Sequence, residues 1–342
     1  MKENHNDAIE VLITLHLSPS IFTQLQNVSP RLRLTMLPAH SPGEIPDHLW
    51  SRTEILYTHR VLPDPVRAPH LRWVQFSLAG IDFTAGLPLF QQNKVIATTL
   101  SGANAPQMAE HAVMMMLALG HQLPEQMKNQ QETVWPQERE NFSPLELRGS
   151  TVGIIGYGSV GRQIAYLLTP FGVNILAAKR DSRHPEDGGY IPKGMGDPEG
   201  RRVHHLYSIR ELGAMIPLCD FLIVATPLTE KTRNLLGAEL LKLMKPSAYL
   251  VDISRGGVVD QDALVFALEE KRLAGAALDV FPEEPLPSIH PLWLFPNVII
   301  TPHVAGLSIS YQARAVDLFS TNLKRYLAGQ PLLNQFDPIK GY

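Results

Sequence analysis

The chain has 342 residues, 44% hydrophobic and 18% charged, long enough for two domains with full cores at roughly 150 residues each. A formal net charge of −3 and the lack of any basic run give no electrostatic case for nucleic acid or a membrane surface. The single cysteine, Cys219, excludes an intramolecular disulfide framework, and no signal-peptide core follows the polar stretch Met1-Lys-Glu-Asn-His-Asn-Asp7, so the expected location is the cytoplasm.

In chain order, residues 1 to about 104 alternate short β-like runs with helical or loop segments. The runs are Ile9–Leu15, Leu32–Leu37, Ile55–Tyr57, Trp73–Phe76 and Val95–Thr98, a pattern that predicts a small parallel α/β sheet. Ala105–Leu119 then reads as one helix, with Pro106 early and apolar residues nearly all round, so a buried position is expected. Its apolar part, Ala112–Leu119, is far shorter than the roughly 20 residues of a membrane span. Residues 121–150 are polar and irregular. From Thr151 a second alternating series predicts six strands: Val152–Ile155, Asn174–Ala178, Phe221–Ala225, Ala248–Asp252, Ala276–Asp279 and Val298–Thr301. Asp181–Arg202, rich in Gly, Pro and charge, is expected to be a surface loop. From Gly306 to Gln330 the pattern is helical again and is expected to return to the first domain.

These elements imply two doubly wound parallel α/β domains. The second, at 105–305, is inserted in a discontinuous first one made of 1–104 and 306–342.

The most informative segment is Thr151–Gly161, where an apolar strand runs into Gly156-Tyr-Gly-Ser-Val-Gly161 and then a helix beginning at Arg162. This G-x-G-x-x-G sits where a dinucleotide pyrophosphate requires it, so the expected fold is a Rossmann dinucleotide-binding domain at 105–305 inserted in a discontinuous, flavodoxin-like substrate domain. Gly156 would make the tight turn, Gly158 would admit the phosphates, and Gly161 would let the helix pack close. Ser159 and Val160 would present the helix N-terminus to the anion. The next strand ends in Lys179-Arg180, where an NAD-binding unit places an acid for the ribose 2′-hydroxyl. Two cations there predict a 2′-phosphate, hence NADP, with NAD still possible. Arg180 and Arg183 are the further phosphate candidates.

Three later segments fall at carboxyl ends of the second series of strands, where doubly wound sheets bind ligands. They are Val251-Asp-Ile-Ser-Arg255-Gly-Gly, Leu278-Asp-Val-Phe-Pro-Glu-Glu284-Pro, and Ile300-Thr-Pro-His303-Val-Ala-Gly306. Taken singly, Arg255 reads equally as a cap donor, Glu284 as a solvated turn residue and His303 as a core histidine. Together with the glycine loop and Thr226-Pro-Leu-Thr-Glu-Lys-Thr-Arg233, and in this order, they carry a specific signal. The chain resembles the D-isomer-specific 2-hydroxyacid dehydrogenases, most closely their glyoxylate/hydroxypyruvate reductase branch, over nearly its whole length.

The resemblance implies a catalytic trio of Arg255, Glu284 and His303, Glu284 being chosen over Glu283 because the family's acid directly precedes a proline. It implies that Ala79 and Gly80, in Ser77-Leu-Ala-Gly-Ile-Asp82, hold the substrate carboxylate, with Arg255 and His303 also touching substrate. Asp279 would face the nicotinamide carboxamide, and Thr226, Pro227 and Ile253 would line the cofactor's path. Glu110 and His111 would be structural, His111 being a decoy base. Trp135 falls where the branch carries an arm over a partner subunit, and reads equally as surface packing; the apolar Ala105–Leu119 helix and the arm both suggest extra surface to cover, so a homodimer is expected. The implied activity is NADP-preferring reduction of a small 2-oxo acid such as glyoxylate or hydroxypyruvate, with no metal. Alternatives are an NAD-dependent D-2-hydroxyacid dehydrogenase, including one acting on phosphoglycerate, and a dinucleotide-sensing co-repressor-like protein. The latter is disfavoured because the chain stops at Tyr342 without a long tail.

Overall fold

The computed structural model describes residues 8–84, 86–91 and 95–337; the N-terminal Met1–Asp7 and Tyr342 used above lie outside them. The chain divides into two compact units, Met1–Asn104 with Ile309–Tyr342, and Ala105–Ser308.

The first unit holds five parallel strands: β1 (Ile9–Ile13), β2 (Leu32–Met36), β3 (Ile55–Thr58), β4 (Trp73–Phe76) and β5 (Ile96–Thr98). Their order is β2-β1-β3-β4-β5, which reverses direction between β1 and β3. Successive residues point to opposite faces. Leu12, Leu56, Val74 and Phe76 therefore join one core cluster, while Val11, Ile13, Ile55, Tyr57 and Trp73 join another. The second cluster is closed by helix Tyr311–Leu327, whose Phe319 ring lies 4.5 Å from Tyr57 and 5.5 Å from Trp73.

The second unit adds seven parallel strands: β6 (Thr151–Ile155), β7 (Asn174–Lys179), β8 (His205–Ser208), β9 (Phe221–Val224), β10 (Tyr249–Asp252), β11 (Gly275–Leu278) and β12 (Val298–Ile300). The order β12-β11-β10-β9-β6-β7-β8 turns back between β6 and β9, which makes their carboxyl ends the expected ligand crevice. Strands buried on both faces read as continuous apolar runs, and Phe221–Val224 is an example. Helices Ala105–Gly120 and Ser159–Leu168 share one core cluster, and helix Gln261–Glu269, capped by Asp260 on the Ala263 N–H at 3.0 Å, joins the other.

Three expectations are corrected. The sheet has seven strands, not six: β8 is a half-exposed edge strand with no apolar run to announce it. Residues 121–150 are not wholly irregular, because Leu123–Gln131 is helical although none of its side chains is buried. Asp181–Arg202 is more than a surface loop, since Tyr190 and Asp197 within it are buried. No helix among the described residues is long and apolar enough to cross a membrane.

Candidate active site

The glycine loop leaves β6 at Gly156, which takes φ +103° and donates its N–H to Ala178 O at 2.9 Å. A Cβ at Gly156 would lie 2.6 Å from Ala225 O, and one at Gly161 2.2 Å from Gly156 O. Neither position can carry a side chain, so the turn hugs β9 and the helix hugs the turn. A Cβ at Gly158, by contrast, would meet nothing within 4 Å. No side chain caps the helix that starts at Ser159, so its first N–H groups lack that partner. An open face beside an uncapped helix N-terminus fits a pyrophosphate.

Thr226 is half-buried and Pro227 exposed just past β9. Ile253 is only 2% exposed and packs into the core, its N–H donating to Val224 O. At the end of β7, the Lys179 ammonium donates to His184 O at 2.7 Å. Burial and the nearby Arg162 charge lower its pKa, against the pull of Asp187, Asp181 and Glu186. Arg183 is turned to its own Asp181, donating from Nε at 3.1 Å, and Asp181 also pairs with His184.

The remaining chemistry gathers beyond β10, β11 and β12. Asp279, 2% exposed, accepts from Thr301 Oγ1 at 2.6 Å and from the N–H groups of Val304 and Ala305, each at 2.9 Å. Three bonds to one carboxylate fix the loop that carries His303, a left-handed residue at φ +55°. His303 Nδ1 lies 2.8 Å from Glu284 Oε2, while Glu284 Oε1 accepts the Phe281 N–H at 3.0 Å. The carboxylate is thus held at both oxygens, and the His303 ring presents Nε2 outward. Partial burial works against the Glu284 anion. The His303 and Phe281 hydrogen bonds and the charges of His303 and Arg255 outweigh it, and the pKa lies below the ordinary value.

Arg255 donates through Nη1 to Ser254 O at 2.8 Å. Its loop is locked against the Glu284 loop because Gly256 has no room for a Cβ, which would fall 1.9 Å from Phe281 O. Beneath it Asp252, 3% exposed, accepts from the Ser254 N–H at 2.9 Å and the Ser254 hydroxyl at 2.5 Å. Burial pushes the Asp252 carboxyl up to about 7; the Ser254 bonds oppose this and the Asp279 charge adds to it. His111 reaches Thr301 Oγ1 at 3.3 Å and Asp279 Oδ1 at 4.0 Å, and burial lowers its pKa more than Asp279 raises it. Sequence reasoning did not find Asp252 or Thr301. The signal for Asp252 was present in an acid ending a buried strand two residues before a serine.

In the other unit, the loop after β4 has its carbonyls tied down. Tyr311 Oη donates to Ser77 O at 3.1 Å, Leu100 N–H to Leu78 O at 2.8 Å, and Ser101 Oγ to Ala79 O at 3.4 Å. The Ala79 and Gly80 N–H groups donate to no acceptor among the described residues. Adjacent unpaired N–H groups on a fixed loop suit a carboxylate. The described residues hold no cluster of His, Cys, Asp and Glu suited to a metal ion.

Residues 113–305 match the family model for the NAD-binding domain of D-isomer specific 2-hydroxyacid dehydrogenases. Glyoxylate/hydroxypyruvate reductase A of Serratia proteamaculans is 32% identical over 70% of this chain and 69% of its own length. A D-3-phosphoglycerate dehydrogenase of Methanocaldococcus jannaschii is 33% identical over 69% of this chain, which spans only 42% of that protein. Among solved structures, the D-isomer specific 2-hydroxyacid dehydrogenase of Xanthobacter autotrophicus Py2, in complex with NADPH and MES, superposes with a TM-score of 0.78 at 27% identity, covering 98% of this chain and 100% of that one. The chain belongs to the D-isomer specific 2-hydroxyacid dehydrogenases, oxidoreductases that act on CH–OH donors and carry an NAD(P)-binding Rossmann domain.

Proposed function

We propose that this protein is an NADP-preferring 2-oxoacid reductase acting on small substrates such as glyoxylate and hydroxypyruvate. The observation that carries the proposal is the His303–Glu284 pair at 2.8 Å, with Arg255 on the loop locked beside it. When bound, NADPH supplies the hydride that adds to the substrate's 2-carbon. Arg255 binds the substrate carboxylate and polarises the 2-oxo oxygen, a task suited to its planar fork. In the first unit, the Ala79 and Gly80 N–H groups, which donate to no acceptor among the described residues, are by themselves suited to a carboxylate. His303, as imidazolium, delivers the Nε2 proton to the oxygen that becomes the hydroxyl; in the reverse direction the neutral ring takes it back. Glu284 holds the ring through Nδ1 and so fixes its orientation. Asp279 aligns the loop, and is the residue that would face the nicotinamide carboxamide.

NADP preference rests on Lys179 and Arg180 at the end of β7, where an NAD site would place an acid. A homodimer is supported by apolar surface on and near Ala105–Gly120, where Met114 and Met127 are exposed and Trp135 is 78% exposed. The protein is assigned to the cytoplasm on its single, buried cysteine. A panel of 2-oxo acids assayed with NADPH and NADH, beside 3-phosphoglycerate assayed with NADP+ and NAD+, tests substrate and cofactor together. Oxidation of 3-phosphoglycerate with NAD and no turnover of glyoxylate would replace this reading.

A further inference from the structure

Arg162 is the first residue after the glycine turn, yet its guanidinium points away from solvent and is only 1% exposed. A buried cation is strongly disfavoured unless its surroundings supply anions and acceptors. Here every partner lies in one place. Nη1 donates to Asp197 O and Nη2 to Pro185 O, and Nε lies 3.4 Å from the Asp187 carboxylate. All three belong to the 181–202 segment. The guanidinium also lies 4.7 Å from the centre of the Tyr157 ring.

Tyr157 is itself part of the glycine turn, and its hydroxyl donates to Asp197 Oδ2 at 2.6 Å. The same carboxylate accepts the Arg201 and Arg202 N–H groups at 2.9 and 3.0 Å, and the Gln163 side chain accepts the Gly196 N–H at 2.7 Å. Within the segment, Asp187 N–H donates to Pro198 O at 2.9 Å, and Gly200 lies so close to Pro185 that a Cβ would fall 2.6 Å from its carbonyl oxygen. The segment is a closed loop riveted to the helix that starts the phosphate site. Its first residues reach Lys179, whose ammonium is held by His184 O, one residue before the carbonyl that Arg162 grips.

We propose that Arg162, with Tyr157 and Asp197, is a positioning device for the adenine-ribose end of the cofactor: it fixes the 181–202 loop to the glycine turn and so sets where the Lys179 cation stands. The proposal rests on the reading that Lys179 and Arg180 meet a 2′-phosphate. Arg162 touches no cofactor atom in this scheme and acts through the loop. A purely stabilising role would make the loop rigid without making the site discriminate.

The test is Arg162→Lys, which keeps the charge but cannot span two carbonyls, beside Tyr157→Phe, which removes a single hydrogen bond and keeps the ring. Dissociation constants for NADPH and NADH are read by titrating the bound nicotinamide's fluorescence, and hydrogen exchange is followed across 181–202. Loss of the fork should weaken NADPH by about tenfold and NADH by less than about threefold, with faster exchange in the loop; Tyr157→Phe should move the ratio the same way by a smaller factor. An unchanged ratio of the two constants in the variants, whatever the loop's exchange, overturns the proposal; if Arg162→Lys does not fold, Tyr157→Phe alone decides. The wild-type ratio is a separate readout. A wild type that binds NADH as tightly as NADPH refutes the NADP reading, whereas the positioning role is judged only by the change between variant and wild type.

Discussion

His303 is constrained twice, at its backbone by the Asp279-anchored loop and at its ring by Glu284, so a single nitrogen is left for chemistry. Replacing it by Ala should lower kcat by about 10²–10⁴-fold, the usual worth of a positioned general acid, and change the NADPH dissociation constant little. Near-normal turnover in steady-state assays would remove His303 from its role. Glu284→Gln keeps the shape but removes the carboxylate that holds His303 Nδ1, so kcat for reduction should fall by about tenfold or more with little change in the NADPH dissociation constant; an unchanged kcat contradicts that coupling. The sign for stability is opposite at the two carboxylates. Glu284, with its pKa lowered in the fold, stabilises above the ordinary carboxylate pKa and loses this as pH falls through its folded value. Asp252, pushed up to about 7, holds its proton in the fold where the unfolded chain has released it, so its contribution is complete at low pH and is lost as pH rises through about 7. Asp252→Asn should therefore gain in Tm relative to wild type between pH 5 and about pH 8, and a constant difference in thermal denaturation would show that the carboxyl ionises normally.

Among the elements, the glycine turn separates fold from ligand. Gly161→Ala places a methyl 2.2 Å from Gly156 O and should destabilise by about 1–3 kcal/mol, read as a lower denaturant midpoint. Gly158→Ala meets open space, so stability should stay within about 0.5 kcal/mol while NADPH binding weakens, the methyl occupying the phosphates' side. Equal effects at both positions would mean that the open face of Gly158 is not where the pyrophosphate lies. Much at this scale was legible because buried parallel strands are apolar runs: Trp73–Phe76 was read with its observed bounds and most others to within a residue or two. The misses share a cause. β8 and helix Leu123–Gln131 bury little, so hydrophobic periodicity, the signal being read, is weak in them. The Asp181–Arg202 loop looked like surface because its anchor, Arg162, lies in a different element, and no local pattern announces a buried arginine. The partners of Asp279 were hidden for the same reason: Thr301, Val304 and Ala305 meet it only once β11 and β12 are paired.

At the scale of the molecule, motif order carried the function. Gly156–Gly161, Arg255, Glu284 and His303 all lie at carboxyl ends of strands in one seven-stranded sheet, a placement that strand order explains and no single motif could. Apolar side chains exposed around Met114, Met127 and Trp135 should be covered in a dimer, so light scattering should give twice the 38.0 kDa chain mass; a monomer at micromolar concentration contradicts the homodimer. The proposed reaction is reduction of a small 2-oxo acid with NADPH, with His303 as the proton donor. It is tested most directly by kcat/KM for glyoxylate reduction, measured with NADPH and with NADH on the wild type and on His303→Ala. The wild type should turn over faster with NADPH by about tenfold or more, and the variant should lose at least about a hundredfold with either cofactor. An NADH preference, or a variant as active as the wild type, would contradict it.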